Sequence, residues 1–311
     1  MSYSGELAAI ATALCWTCCA VAFTEAGKRV GSRAVNVIRI VMALGLFVVY
    51  EWIVRGLPLP TDAPAHTWGW LGLSGLIGFT IGDLCLFRAF LVLGTRPTML
   101  IMALAPPMTA VLDLAFRAEA LTWPAWVGMA VTLAGVCWVI LESDTTTGER
   151  RWRYSMRGLL LALAGAVCQA VGNVMSAEGM ELPGGVKYDG FASAQIRAIA
   201  SVAGFVVLFA VLGWWPRVFK ALHDRKAMAL TSIGAVLGPF LGVALLMVAF
   251  QLTQPGIAAT IVATTPVLVI PFSVYLHKET ITMRAVVGAV LAVAGVAMLM
   301  FDDSIGRWVF G

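Results

Sequence analysis

The chain repeats itself at an offset of 160 residues. Gly82 recurs as Gly242, Ala89-Phe90 as Ala249-Phe250, and Pro106 as Pro266. Glu119 recurs as Glu279, Thr122 as Thr282, Gly128 as Gly288, and Ala134-Gly135-Val136 as Ala294-Gly295-Val296. No gap is needed from Gly78 to Leu141. The repeated unit is a set of apolar stretches, each of the length that crosses a bilayer, about 20 residues. Ten are expected, at about 5–24, 34–54, 68–91, 97–116, 124–141, 158–178, 190–213, 228–252, 256–276 and 283–301. Five per unit is an odd number, so the second copy must enter the membrane upside down relative to the first. Inverted repeats of this kind build transporters whose midplane site opens to each side in turn.

Composition agrees with this reading. The 311 residues are 60% hydrophobic and 12% charged, and mean hydropathy is +0.90. Soluble domains carry about 25% charged residues. The net charge of +4 sits in loops, where it signals membrane orientation and anionic headgroups rather than nucleic acid. The cysteines, at 15, 18, 19, 85, 137 and 168, all lie in apolar runs. They read as small packing residues without a structural disulfide. The first apolar run is preceded by Glu6 and no Lys or Arg, so it reads as a permanent span rather than a cleaved leader.

The breaks between spans carry turn chemistry: Gly27 and Gly31, Pro58-x-Pro60, Gly94 to Pro97, Pro183-Gly184-Gly185, and Gln254-Pro255-Gly256. The longest polar segment, Glu142 to Arg157, joins the halves. The organisation expected is a first five-helix repeat at 1–144, a polar linker at 145–157 and a second repeat at 158–302. Gly128 and Gly135 lie seven residues apart, as do Gly288 and Gly295. Seven residues is two helical turns, so each pair marks one face that another helix can approach closely. Pro106-Pro107 and Pro266 fall within spans, where each proline removes a backbone hydrogen bond and kinks the helix.

Taken together, these features resemble the ten-span EamA family of the drug/metabolite transporter superfamily. The ordered set is the twofold five-span repeat, Pro106/Pro266 in the fourth span of each half, and Glu119/Glu279 before the last span. An Arg early in the second span of each half (Arg39, Arg197) and the paired glycines of the final spans complete it. The resemblance covers nearly the whole chain. It implies an all-α membrane protein whose two inverted halves enclose a central cavity, and a substrate drawn from amino acids, sugars, nucleotide-linked metabolites or drugs. Bacterial members are often exporters. The related four-span multidrug transporters couple to protons through a mid-span Glu in the first helix. Here no acid occurs between Glu6 and Glu25, so that route is not implied.

Charged residues within spans are costly and usually face a cavity or the bundle interior. Those singled out are Arg39, Asp83, Arg88, Asp113 and Arg197, with Glu25 and Glu178 near span ends. Arg39 and Arg197 occur in both halves, which favours a shared structural task, with snorkelling to a helix end as one geometry. Asp83 and Arg88 lie five residues apart, about 140° round the helix, so each is expected to find a partner elsewhere. The second half carries no charge at either position, which marks the two residues for specific function. Asp83 is the candidate titrating group for a coupling ion. Asp113, also unmatched, reads as a residue of the cavity lip or of the interface. Gln169 and Asn173 share one helical face, and Trp16 is the candidate aromatic wall opposite them. Glu119 and Glu279 are expected to cap the spans that follow.

Fourteen of the 21 Lys and Arg residues fall in odd-numbered connections and four at the opposite side. Positive residues mark the cytoplasmic side, so both termini are expected on the other. No Walker A pattern is present, and His66, His223 and His277 are scattered, which leaves no metal site. The reading is a secondary transporter of small metabolites in the inner membrane. Its expected partners are a small-molecule substrate, the lipid bilayer and a proton or other coupling ion, without cofactor, as a monomer or homodimer. A lipid-linked-metabolite translocator is the alternative; an intramembrane enzyme and a non-transporting scaffold are lesser ones.

Overall fold

The computed structural model describes residues 3–93, 98, 101–118, 121–142, 155–265, 267–268 and 283–300. Its regular elements are helical, with one isolated bridge between Glu181 and Lys187. Among the described residues, helices fall within the apolar stretches of the sequence: α1 Ser4–Val30, α2 Ser32–Arg55, α3 over residues 65–93, α4 Ala105–Arg117, α5 Trp123–Glu142, α6 Met156–Met180, α7 Gly190–Val211, α8 over residues 225–252, α9 Pro255–Val262 and α10 Met283–Met300. A short surface helix, Trp215–Ala221, separates α7 from α8. Five of these helices are long and apolar enough to cross a membrane, namely α2, α3, α6, α7 and α8. Shorter apolar helical stretches lie at Ser4–Cys19, Trp123–Trp138 and Val286–Met298. Large apolar side chains such as Ile53, Phe116 and Val211, each 77% exposed, point outwards. In a bilayer that surface meets lipid rather than water.

The helix ends follow from local chemistry. Gly31 takes a φ of 84° between α1 and α2, a backbone region that side chains with a Cβ rarely enter. Asp189 and Asp224 cap α7 and α8, each carboxylate accepting a hydrogen bond from the backbone N–H three residues on, at 2.9 and 3.0 Å. At the start of α5 the described cap is Thr122, whose hydroxyl accepts from the Ala125 N–H at 3.3 Å. The proposed caps Glu119 and Glu279 lie outside the described residues.

Packing pairs each half with the other. α1 lies along α8, and α6 lies along α3. Gly5 at the start of α1 abuts Thr253 and Leu252 at the end of α8, and Gly158 at the start of α6 abuts Leu93 at the end of α3. α2 packs on α7, and α4 on α6 and α9. α5 and α10 form the closest contact. A methyl group added at Gly135 would meet backbone of Gly288 and Ala292, and one at Gly295 would meet Gly128 and Thr132. The glycine faces expected from the seven-residue spacing therefore face one another.

Candidate functional site

The two halves share interruptions that their sequences only hint at. α3 is α-helical over Ala65–Gly75 and Asp83–Leu93 but π-helical over Leu76–Gly82. α8 is α-helical over Arg225–Ala235 and Val243–Leu252 but π-helical over Val236–Gly242. The two π segments are 160 residues apart and end on the matched glycines. Such segments widen a helix and are concentrated at functional sites. Pro239, which has no matching proline at Phe79, lies inside the second one. Trp16 of α1 packs its indole against Gly242, and Cys168 of α6 packs against Gly82. Each glycine thus leaves room for a side chain from the first helix of the other half.

The fourth span is broken rather than bent. Ala103-Leu104 form a turn, and α4 starts anew with Pro106-Pro107 in its first positions. A proline cannot donate to the carbonyl four residues back and crowds it. The Leu104 N–H turns instead to Ile101 O at 3.0 Å, and Thr264 N–H, 160 residues on, makes the same three-residue bond to Ile261 O at 3.1 Å. α9 ends at Val262 in a matching turn. Pro266 lies outside the described residues. Discontinuous helices of this kind place backbone groups at the substrate sites of transporters.

Charges gather between these interruptions. Asp83, the residue after the first π segment, pairs with Arg39 of α2, with side-chain exposures of 16% and 14%. The Arg39 guanidinium lies over the rings of Phe23 and Phe87, 5.2 and 5.3 Å from their centroids. Arg197 of α7 is 1% exposed. It lies 4.4 Å over the Phe79 ring, donates to the Met247 sulfur at 3.5 Å, and acts on Asp83 through its charge. Neither arginine snorkels to a helix end: both lie over aromatic rings inside the bundle, and Arg39 is also held by the Asp83 carboxylate. Asp83 and Arg88 diverge as their spacing required. Arg88 is exposed and lines a cavity whose lining does not include Asp83.

On α6, Gln169 donates to Asn173 at 3.1 Å, and Asn173 donates to Thr109 of α4 at 3.3 Å. This amide pair therefore bonds between helices, beside the break at Pro106-Pro107. Asp113 is not solvated. It is 3% exposed and bound by Arg117 one turn later, at 3.1 Å.

Arg117 is a residue that sequence reasoning placed in a loop. Its side chain is 2% exposed, reaches Glu178 of α6 at 3.4 Å and also binds Glu181. His66 stands 3.8 Å from the same Glu178. At this end Arg55 binds Glu51, 3.0 Å away, and Asp62, while the Tyr188 hydroxyl donates to Asp62 at 3.0 Å. Glu51, fully buried within α2, was also missed. The i, i+4 spacings Glu51–Arg55 and Asp113–Arg117 are the signal that could have found both pairs. These ties join residues 51–117 to residues 178–188. The opposite end is tied by an exposed pair, Arg29 with Asp224, 2.9 Å apart.

Comparison with known proteins agrees with the architecture. The model of the EamA-like transporter family matches residues 3–141 and again 156–301. Among solved structures, one described only as the crystal structure of a protein superposes with a TM-score of 0.74 at 16% identity, covering 100% of both chains. That likeness is one of fold. No curated protein matches. With both repeats matched across most of its length, the chain belongs to the EamA-like transporter family.

Proposed function

We propose that the protein is a ten-span secondary transporter that exports small metabolites across the cytoplasmic membrane by alternating access. Two inverted five-helix halves rock about a midplane cavity walled by α1, α3, α4, α6, α8 and α9. The observation that carries this reading is the pairing of interruptions: a π segment in α3 and in α8, and a turn just before α4 and just after α9, each 160 residues apart. Inversion is supported by α1 starting beside the end of α8 while α6 starts beside the end of α3. The arginine-rich connections face the cytoplasm in this reading, and the Arg117–Glu178 end is the closed outer gate.

Within the cavity Asp83 is the coupling residue. Arg39 and Arg197 hold its charge, and a proton or an incoming cationic group would compete with them for the carboxylate. Gln169, Asn173 and Trp16 supply the amide and aromatic wall, and the substrate is amino-acid-like, sugar-like or drug-like. Counterflow in proteoliposomes, using a panel of labelled amino acids, sugars and cationic drugs, tests this. Exchange of one class above protein-free vesicles is expected, and exchange of none would contradict it.

A further inference from the structure

A cavity about 330 Å³ in volume opens at the arginine-rich end; Asp83 and Arg39 are not among its lining residues, though Phe87, the ring under Arg39, is. Ser32, Arg33 and Asn36 of α2, Arg88 of α3, Arg157 of α6 and Trp214 line its polar part. Leucines of α3, α6 and α7 line the remainder. Arg33 lies face-on to the Trp214 ring at 4.1 Å and feels the like charges of Arg217 and Arg88. Among the described residues no carboxylate pairs with Arg33, Arg88 or Arg157. Asn36 is 2% exposed, and its Oδ1 has no hydrogen-bond partner among the described residues.

Arg33, Arg88 and Arg157 line one cavity with no carboxylate paired to them among the described residues, and an oxyanion in the cavity supplies the missing counter-charge. Guanidinium matches phosphate in shape and donates in pairs. The unpartnered Asn36 oxygen suits a hydroxyl or ammonium on the same ligand, and the leucine wall suits an apolar tail. We propose that this cavity binds a phosphate group carrying a hydrogen-bond donor, as found in a phospholipid headgroup or a small phosphate ester. Basic pockets between helices on the cytoplasmic side bind anionic headgroups on the same principle. The inference does not rest on the transport reading, and its test requires no transport.

Thermal unfolding of the purified full-length protein is followed in detergent against three probes. They are inorganic phosphate, glycerol 3-phosphate, and mixed micelles of phosphatidylglycerol compared with phosphatidylcholine at equal ionic strength. Saturable stabilisation by phosphatidylglycerol alone identifies a lipid headgroup. Stabilisation by glycerol 3-phosphate identifies a soluble ester. In either case Arg33→Gln/Arg88→Gln raises the half-saturating concentration about tenfold or more, the equivalent of one charge-assisted contact. Lys220→Gln, an exposed cation outside the cavity, leaves it unchanged. Arg157→Gln, whose side chain is exposed, gives the same reading if the double variant does not fold. No saturable stabilisation by any probe, or an equal response in the arginine variants, overturns the proposal.

Discussion

Arg117, at the end of α4, reaches across to Glu178 of α6, 3.4 Å away, while it also holds the buried Asp113 of its own helix at 3.1 Å. Its side chain is 2% exposed, so the charge has left solvent and relies on these partners. Arg117→Gln removes the buried Arg117–Asp113 ion pair, and breaking a buried pair from one side costs about 3–5 kcal/mol. The variant is expected to unfold at a clearly lower temperature than the parent. Arg117→Gln/Asp113→Asn recovers part of the loss, which a double-mutant cycle on the melting data measures.

Asp83 and Arg39 form the second such pair. Asp83→Asn and Arg39→Gln each leave one charge inside the bundle, and each is expected to destabilise more than the combined change. Transport in Asp83→Asn loses its pH dependence. A pH profile identical to the parent's removes Asp83 from the coupling role.

Contact between α5 and α10 leaves no room for a side chain at Gly135, where a Cβ would lie 2.6 Å from the Gly288 carbonyl oxygen. Gly135→Ala is expected to cost about 1–3 kcal/mol, as overpacking does. Gly45→Ala in α2, where nothing lies within 4 Å, is neutral or stabilising because alanine favours helix. Melting temperatures of the two variants check the contrast.

Tyr188, in the connection between α6 and α7, has its hydroxyl pushed up to about 12, by burial first and by its bond to Asp62. An unfolded tyrosine titrates near pH 10. Between those values the unfolded chain releases a proton that the folded chain keeps, so stability is full below about pH 10 and falls as pH rises towards 12. Tyr188→Phe flattens that alkaline loss, which unfolding curves taken across the window report.

Much of this arrangement was legible because duplication leaves paired marks. The glycine pairs mark the α5–α10 contact, Pro106-Pro107 stand beside the break before α4, and the matched Gly82 and Gly242 close the π segments. The π segments themselves were not legible. Leu76–Gly82 and Val236–Gly242 are apolar like their surroundings, and Pro239 read as unmatched. The pairing of Asp83 with Arg39 was hidden too, because 44 residues separate them and a single helix gives no view of its neighbour. Comparison of the halves sorts residues as matched or unmatched but does not show which of them meet. The unmatched Asp83 is held by the matched Arg39, so one cluster combines both kinds.

Cross-linking the closed end tests alternating access most directly. Asp62 and Tyr188 bond across the halves at 3.0 Å, so Asp62→Cys/Tyr188→Cys in a chain cleared of its six native cysteines places two thiols there. Bridging them with a short bis-methanethiosulfonate, each disulfide forming as a methanesulfinate leaves, is expected to abolish counterflow, and reducing the bridge to restore it. Full counterflow in completely bridged protein would contradict the account.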